Sequence, residues 1–134
     1  MLTRRSTLVL LAAVAAAAPL ARVAFAASMT DTPFTAAAFQ AAQAAGKPIL
    51  IAIHASWCPT CRAQKAVLGP LLTKPEFKDM VVLRVDFDAQ KDVVAGFGAN
   101  TQSTLIVFKG KAESGRSVGD TSGSRIEALL KSAV

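Results

Sequence analysis

This 134-residue chain is short of cysteine, histidine and tryptophan, with two, one and one respectively. The cysteine count excludes a domain stapled by several disulfides, a frequent solution for small exported folds. The pair that exists, Cys58 and Cys61, is separated by only Pro59 and Thr60. A bridge closing so short a loop removes little chain entropy, so it is a poor staple and a functional reading gains weight. With a single histidine added, the chain offers three soft or borderline ligands, one fewer than a closed structural zinc site takes. Beyond the first 26 residues there is no Lys/Arg run and little interleaving of aromatics with basic residues, so nucleic acid is not an expected partner. The chain has no internal repeat, linker or low-complexity stretch after its N-terminal segment, and its length fits one domain.

That N-terminal segment has its own character. Arg4 and Arg5 give it a positive start, Leu8 to Ala18 is an unbroken apolar run closed by Pro19, and Ala24-Phe25-Ala26 forms a small-x-small cleavage site. The run is shorter than the roughly 20 residues that a spanning helix needs. Residues 1–26 are therefore expected to be a signal peptide, with an uncleaved anchor as the alternative. Two export routes fit. Thr3-Arg4-Arg5-Ser6-Thr7-Leu8 resembles a twin-arginine signal, and Arg22 before the cleavage site suits that route. Thr7 departs from the pattern, and an ordinary secretory start also accommodates two arginines. Of the net charge of +6, three units belong to Arg4, Arg5 and Arg22, leaving a mildly basic +3 on residues 27–134. Export, here to a periplasm, implies an oxidising compartment. There the remaining domain must stand on its apolar core.

Within that domain, residues 27–33 read as a polar, mobile lead-in. Thr35 is placed to cap a helix over 36–45, stopped by Gly46 and Lys47-Pro48. Residues 49–54 are apolar and β-branched, the mark of a buried strand. A helix is expected from about Cys58 to Leu68, ended by Gly69-Pro70. A helical turn near Pro75, a strand over 80–86, a helix over 88–97 and a strand over 104–108 follow. Lys109-Gly110-Lys111 is a tight turn that should return an antiparallel strand near 114–118, before a last helix over 124–131. This order predicts an α/β fold with helices on both faces of one mixed sheet.

Cys58 and Cys61 lie between a buried strand and a helix start, the context that makes a C-x-x-C redox motif credible. The nucleophile in disulfide exchange is a thiolate. At a helix start, free N–H groups and the helix dipole favour negative charge on Cys58. Cys61 is within reach to resolve a mixed disulfide. Pro59 suits the first helical turn, where its missing N–H removes no bond. The donors of Thr60 and Cys61 remain for the Cys58 sulfur.

The stretch from Pro48 through Trp57-Cys58-Pro59-Thr60-Cys61 to Val118-Gly119 resembles the thioredoxin superfamily. Val85-Asp86-Phe87-Asp88, the strand from Ser103 to Lys109, and Ser117-Val118-Gly119 are similar to its later strands. Pro75-Glu76-Phe77 resembles variants found in exported reductases and in soluble domains of membrane electron carriers. The resemblance implies the thioredoxin fold and thiol–disulfide exchange, with Cys58 attacking, Cys61 resolving, Trp57 shielding the thiols and no cofactor. Pro59-Thr60 matches neither a familiar reducing nor a familiar oxidising pair, so it sets no poise.

Three positions depart from the family pattern. Ser103 stands where the family has a cis-proline facing the dithiol. A cis bond to a non-proline residue costs about 2.5–4 kcal/mol, so Gln102–Ser103 is expected to be trans. The Ser103 hydroxyl is then a candidate partner for a sulfur, against a tolerated loop residue. Ala52 stands where the family buries an acid that helps deprotonate the resolving cysteine. His54 shares the strand face of Ala52 and takes the place of an aromatic residue. Its imidazole is either a proton carrier near neutrality or packing in the aromatic's space. Arg62 and Lys65 either raise the potential near Cys58 or form a solvated face. Asp86 and Asp88 are read as caps of the following helix rather than a catalytic carboxylate pair.

The leading expectation is an exported, reducing thiol–disulfide oxidoreductase acting on protein disulfides and fed by a membrane-embedded electron carrier. The alternative is a binding module holding a metal or iron–sulfur cluster through Cys58 and Cys61, which loss of the cis-proline would unblock. A glutaredoxin-like use of glutathione is disfavoured by Trp57 and Ser103.

Overall fold

The computed structural model describes residues 32–134, so the expected signal peptide, its twin-arginine pattern and its cleavage site lie outside the described residues. Five strands form one mixed sheet: β1 (Thr32–Pro33), β2 (Pro48–His54), β3 (Val81–Asp86), β4 (Thr104–Lys109) and β5 (Ala112–Val118). Their spatial order is β1-β3-β2-β4-β5. β2 runs parallel to β3 and antiparallel to β4, and β4 and β5 form the expected hairpin. Its turn places Gly110 at φ +60, a conformation glycine reaches without steric penalty.

The helices are α1 (Ala36–Ala44), α2 (Pro59–Leu72), α3 (Lys91–Gly96) and α4 (Gly123–Lys131), with a 3-10 turn at Pro75–Phe77. Strand alternation sorts the core into two layers. Leu50, Leu105 and Val107 face Leu68, Leu71, Leu72, Ile126 and Leu130 of α2 and α4. Ile49, Ile51, Ile53 and Ile106 face the other way, toward α1 and α3. On that side Phe34, Phe39, Phe97 and Phe108 interlock with ring centroids 5.2 to 6.1 Å apart. Tilted and edge-on rings at these spacings place a positive edge near a negative face. Thr35 caps α1 as its position foretold, its Oγ1 accepting the Ala38 N–H at 3.1 Å.

Two sequence expectations need correction. Thr32 and Pro33 are not part of a loose lead-in: they pair in parallel with Leu83 and Arg84. The anchor is Phe34, which is buried and donates its N–H to the Arg84 carbonyl at 2.8 Å. The second helix does not end at Gly69-Pro70 but continues through them to Leu72. An interior proline costs a helix about 3 kcal/mol, while each buried leucine returns about 1.5–3 kcal/mol. Leu71 and Leu72 are both buried against α4 and the sheet, so the pair offsets the proline. Gly69, lacking Cβ, also removes part of the clash that a residue before proline suffers.

Candidate active site

The dithiol sits where β2 hands over to α2. Ala55 accepts the Cys58 N–H at 3.2 Å, closing the turn out of the strand, and Cys58 becomes the N-cap of α2. Its sulfur takes the role that a serine or aspartate oxygen plays at other helix starts. It accepts the Cys61 N–H at 3.1 Å, and the Thr60 N–H also stabilises its charge. Pro59 occupies the first helical position, where no N–H is missed. Both cysteines are free thiols and buried; Ala55 and Phe87 pack against them.

The two thiols are electrostatically unlike. Burial pushes the Cys58 thiol up, but hydrogen bonds from the Cys61 side chain, the Ser103 hydroxyl and the Cys61 and Thr60 N–H groups outweigh it, leaving it below the ordinary thiol range. Burial pushes Cys61 up, and its thiol, spent as donor to Cys58, is held up further, against smaller opposing effects of Ser103 and Ala55. Of the two, Cys58 is therefore the readier to carry negative charge and Cys61 the readier to keep its proton.

Ser103 lies across both sulfurs. Its Oγ is 3.1 Å from Cys58 Sγ and 3.2 Å from Cys61 Sγ. The peptide bond before it is trans, as its sequence predicts, since no peptide bond among the described residues is cis. Instead, Ser103 is the one described non-glycine residue with positive φ, at +62. Such a backbone persists only where neighbours over-determine it. The Ser103 carbonyl accepts the Gly119 N–H at 2.9 Å and Gln64 Nε2 at 3.0 Å. Gln64 Nε2 also donates to the Asp120 carbonyl at 2.9 Å. One buried amide thus ties the dithiol helix to the loops before β4 and after β5.

Gln64 was missed in the sequence, though a signal exists. Cys61, Gln64, Leu68 and Leu71 follow one buried helical stripe, and a polar side chain in such a stripe requires partners.

Beside Cys61 opens a cleft of about 590 Å³. Ala52, Leu68 and Leu105 contribute apolar wall, and His54, Lys65 and Arg84 border it. His54 pairs in register with Asp86, and its charge contributes to holding that carboxyl below the usual range, after the Ala89 N–H, which acts most strongly, and the Asp88 N–H. Among the described residues no hydrogen bond joins the His54 ring to a sulfur. Arg62 and Lys65 also border this cleft; neither is among the groups that lower the Cys58 thiol.

The carboxylates behave differently from the expected pair of caps. Asp86 Oδ1 accepts the N–H groups of Asp88 and Ala89, both at 2.9 Å, and so shapes the turn leading to α3. Asp88 instead anchors the motif tryptophan, accepting Trp57 Nε1–H at 2.8 Å. The α3 N-cap is Gln90, without a side-chain cap. Trp57, next to Cys58 in the chain, remains 56% exposed, and Val118, paired with Thr104 beside Ser103, is exposed as well. Among the described residues no group of three His, Cys, Asp or Glu side chains is arranged to hold a metal.

A helix-capping cysteine with a lowered thiol beside a partner whose thiol is raised is the apparatus of a thiol–disulfide oxidoreductase. The comparisons with known proteins agree. The thioredoxin family model matches residues 30–132. A thioredoxin of Alicyclobacillus acidocaldarius subsp. acidocaldarius is 32% identical over 96 residues, 72% of this chain and 90% of its own. An H-type thioredoxin of Fagopyrum esculentum is 33% identical over 96 residues, 72% of this chain and 78% of its own. The crystal structure of Trxlp from Edwardsiella tarda EIB202 superposes with a TM-score of 0.72 at 41% identity, covering 74% of this chain and 96% of that one. The chain belongs to the thioredoxin family.

Proposed function

We propose that this protein is an exported, reducing thiol–disulfide oxidoreductase. Cys58 attacks a disulfide of a protein substrate, and Cys61 resolves the mixed disulfide. The observation that carries this reading is the asymmetry of the pair: Cys58 is lowered by four hydrogen bonds while Cys61 is raised. Of the two, Cys58 gives up its proton the more readily and Cys61 holds its own. Exposed Trp57 and Val118 offer apolar surface to the polypeptide around the scissile disulfide. Cys58 is only 1% exposed, so attack on a bulky substrate goes with a shift of the exposed Trp57 side chain. The exported location rests on residues 1–26, and the reducing direction on the thioredoxin-like sequence around Trp57. A reductase outside the cytoplasm needs electrons, so a membrane-embedded carrier is the proposed donor.

The test of direction is the reduction potential of the Cys58–Cys61 couple in a thiol redox buffer. A value of roughly −270 mV is expected, and one near −120 mV would make the protein an oxidant instead.

A further inference from the structure

The resolving step poses a problem of proton transfer. Cys61 must lose its proton to attack, yet its surroundings hold that proton in place. The cleft beside it is bordered by Ala52, His54, Arg62, Lys65 and Arg84, and among the described residues no carboxylate lines it. Asp86 is engaged with the N–H groups of its own turn, and Asp88 with Trp57. Ser103 Oγ lies within hydrogen-bonding distance of the Cys61 sulfur, at 3.2 Å, and of the Cys58 sulfur, at 3.1 Å.

We propose that Ser103 is a catalytic residue whose hydroxyl relays the Cys61 proton to the departing substrate sulfur. This rests on the oxidoreductase reading above and deepens it. In the mixed disulfide, Cys58 Sγ is bonded to a substrate sulfur. Cys61 Sγ attacks Cys58 Sγ, so the Cys58–Cys61 bond forms and the Cys58–substrate bond breaks. The electron pair of the broken bond leaves on the substrate sulfur. The Cys61 proton passes to Ser103 Oγ as the original Ser103 hydroxyl proton passes to that sulfur. In this step Cys61 is oxidised to the disulfide level as the departing substrate sulfur is reduced to a thiol; over the whole exchange the cysteine pair gives up two electrons and both substrate sulfurs end as thiols, while Ser103 ends as a hydroxyl. No outside base enters the balance.

The geometry suits the task. Ser103 Oγ contacts both the sulfur that gives up the proton, at 3.2 Å, and the sulfur at which the bond breaks, at 3.1 Å, and the departing sulfur lies one bond of about 2.05 Å beyond the latter. The position is also enforced. Ser103 holds φ +62, and its carbonyl is pinned by Gly119 and by the buried amide of Gln64. A serine held in an unfavourable backbone region by two such bonds is a hydroxyl fixed in place, the pre-organisation a relay requires.

Ser103→Gly removes the hydroxyl and suits the positive φ, so the variant keeps the fold. The purified protein is oxidised in single turnovers by two disulfides, and the resolving phase is followed through the single tryptophan, Trp57. Bis(2-hydroxyethyl) disulfide releases an alkyl thiolate that needs a proton. The aromatic disulfide 5,5′-dithiobis(2-nitrobenzoate) releases an acidic thiol that needs none. The relay predicts that Ser103→Gly slows resolution of the alkyl mixed disulfide by about 100-fold, abolishes its solvent deuterium isotope effect and makes its rate rise with hydroxide. Resolution of the aromatic one should change less than tenfold, a contrast that a merely structural role would not produce. Ser103→Ala should repeat the pattern. Equal slowing of both disulfides, or no slowing of either, overturns the relay while leaving the oxidoreductase reading intact. A wild-type protein that reduces neither disulfide overturns both.

Discussion

Three side chains form a chain of dependence at the residue scale: Gln64 holds the Ser103 carbonyl, Ser103 holds both sulfurs, and Cys58 draws part of its acidity from Ser103. Gln64 touches no reacting atom, so it is a positioning residue. Gln64→Leu keeps the buried volume and strips donors from the Ser103 and Asp120 carbonyls. The expected loss of stability is about 2 kcal/mol, since a buried polar group left unpaired costs about 1–3 kcal/mol, measured as a lower urea midpoint. The second readout is the Cys58 thiolate, titrated by its ultraviolet absorbance, which should move up toward the ordinary thiol range as Ser103 loosens. The sign for stability follows from linkage. A thiol lowered in the folded state stabilises the reduced protein fully above the unfolded value, and the gain is lost as pH falls through the folded value. Gln64→Leu should therefore narrow that window from its acid side. An unchanged Cys58 titration beside a lowered midpoint would reduce Gln64 to packing.

At the scale of elements, α2 carries both the chemistry and the misfit. Its N-terminus was legible in the sequence, because Pro59 after a buried strand marks a helix start and the C-x-x-C spacing places both sulfurs there. Its C-terminus was not, because Gly69-Pro70 is local punctuation, while the burial of Leu71 and Leu72 against α4 is a tertiary effect. The same distinction runs through the site. The departure at Ser103 was readable and its hydroxyl was a candidate for a sulfur, but the positive φ and the double contact depend on loops brought together by β4 and β5. Asp88 read as a helix cap because sequence distance hides Trp57, which is 31 residues away. If burial carries α2 through Pro70, removing the proline should stabilise the helix. Pro70→Ala restores an N–H for the Ala66 carbonyl, worth about 3 kcal/mol in a helix interior, and loosens the unfolded chain by about 1 kcal/mol. A net gain of about 2 kcal/mol in chemical denaturation is expected, with exchange activity unchanged. A loss of stability would mean that the proline ring itself packs usefully.

Compartment and chemistry constrain each other at the scale of the whole molecule. Residues 32–134 form one sheet with a core on each face, and both cysteines are committed to the site, so no disulfide is left to brace the fold. A dithiol protein in an oxidising compartment drifts to its disulfide unless electrons are supplied. Export and reduction together therefore make a prediction that neither makes alone. In cells, the protein should be recovered from the periplasm with Ala27 as its first residue, as mass spectrometry would read. Acid quenching followed by thiol alkylation should find Cys58 and Cys61 predominantly reduced, although neighbouring exported proteins carry their disulfides. Depleting the inner-membrane electron supply should convert the pair to the disulfide. Replacing Arg4 and Arg5 by lysine sorts the route, since the charge survives while the twin-arginine pattern is lost: retention in the cytoplasm assigns that route, and unchanged export assigns the general one. A periplasmic protein whose cysteines are found oxidised at steady state, whatever the state of the membrane donors, would overturn the reducing assignment and turn the same thiols into an electron acceptor.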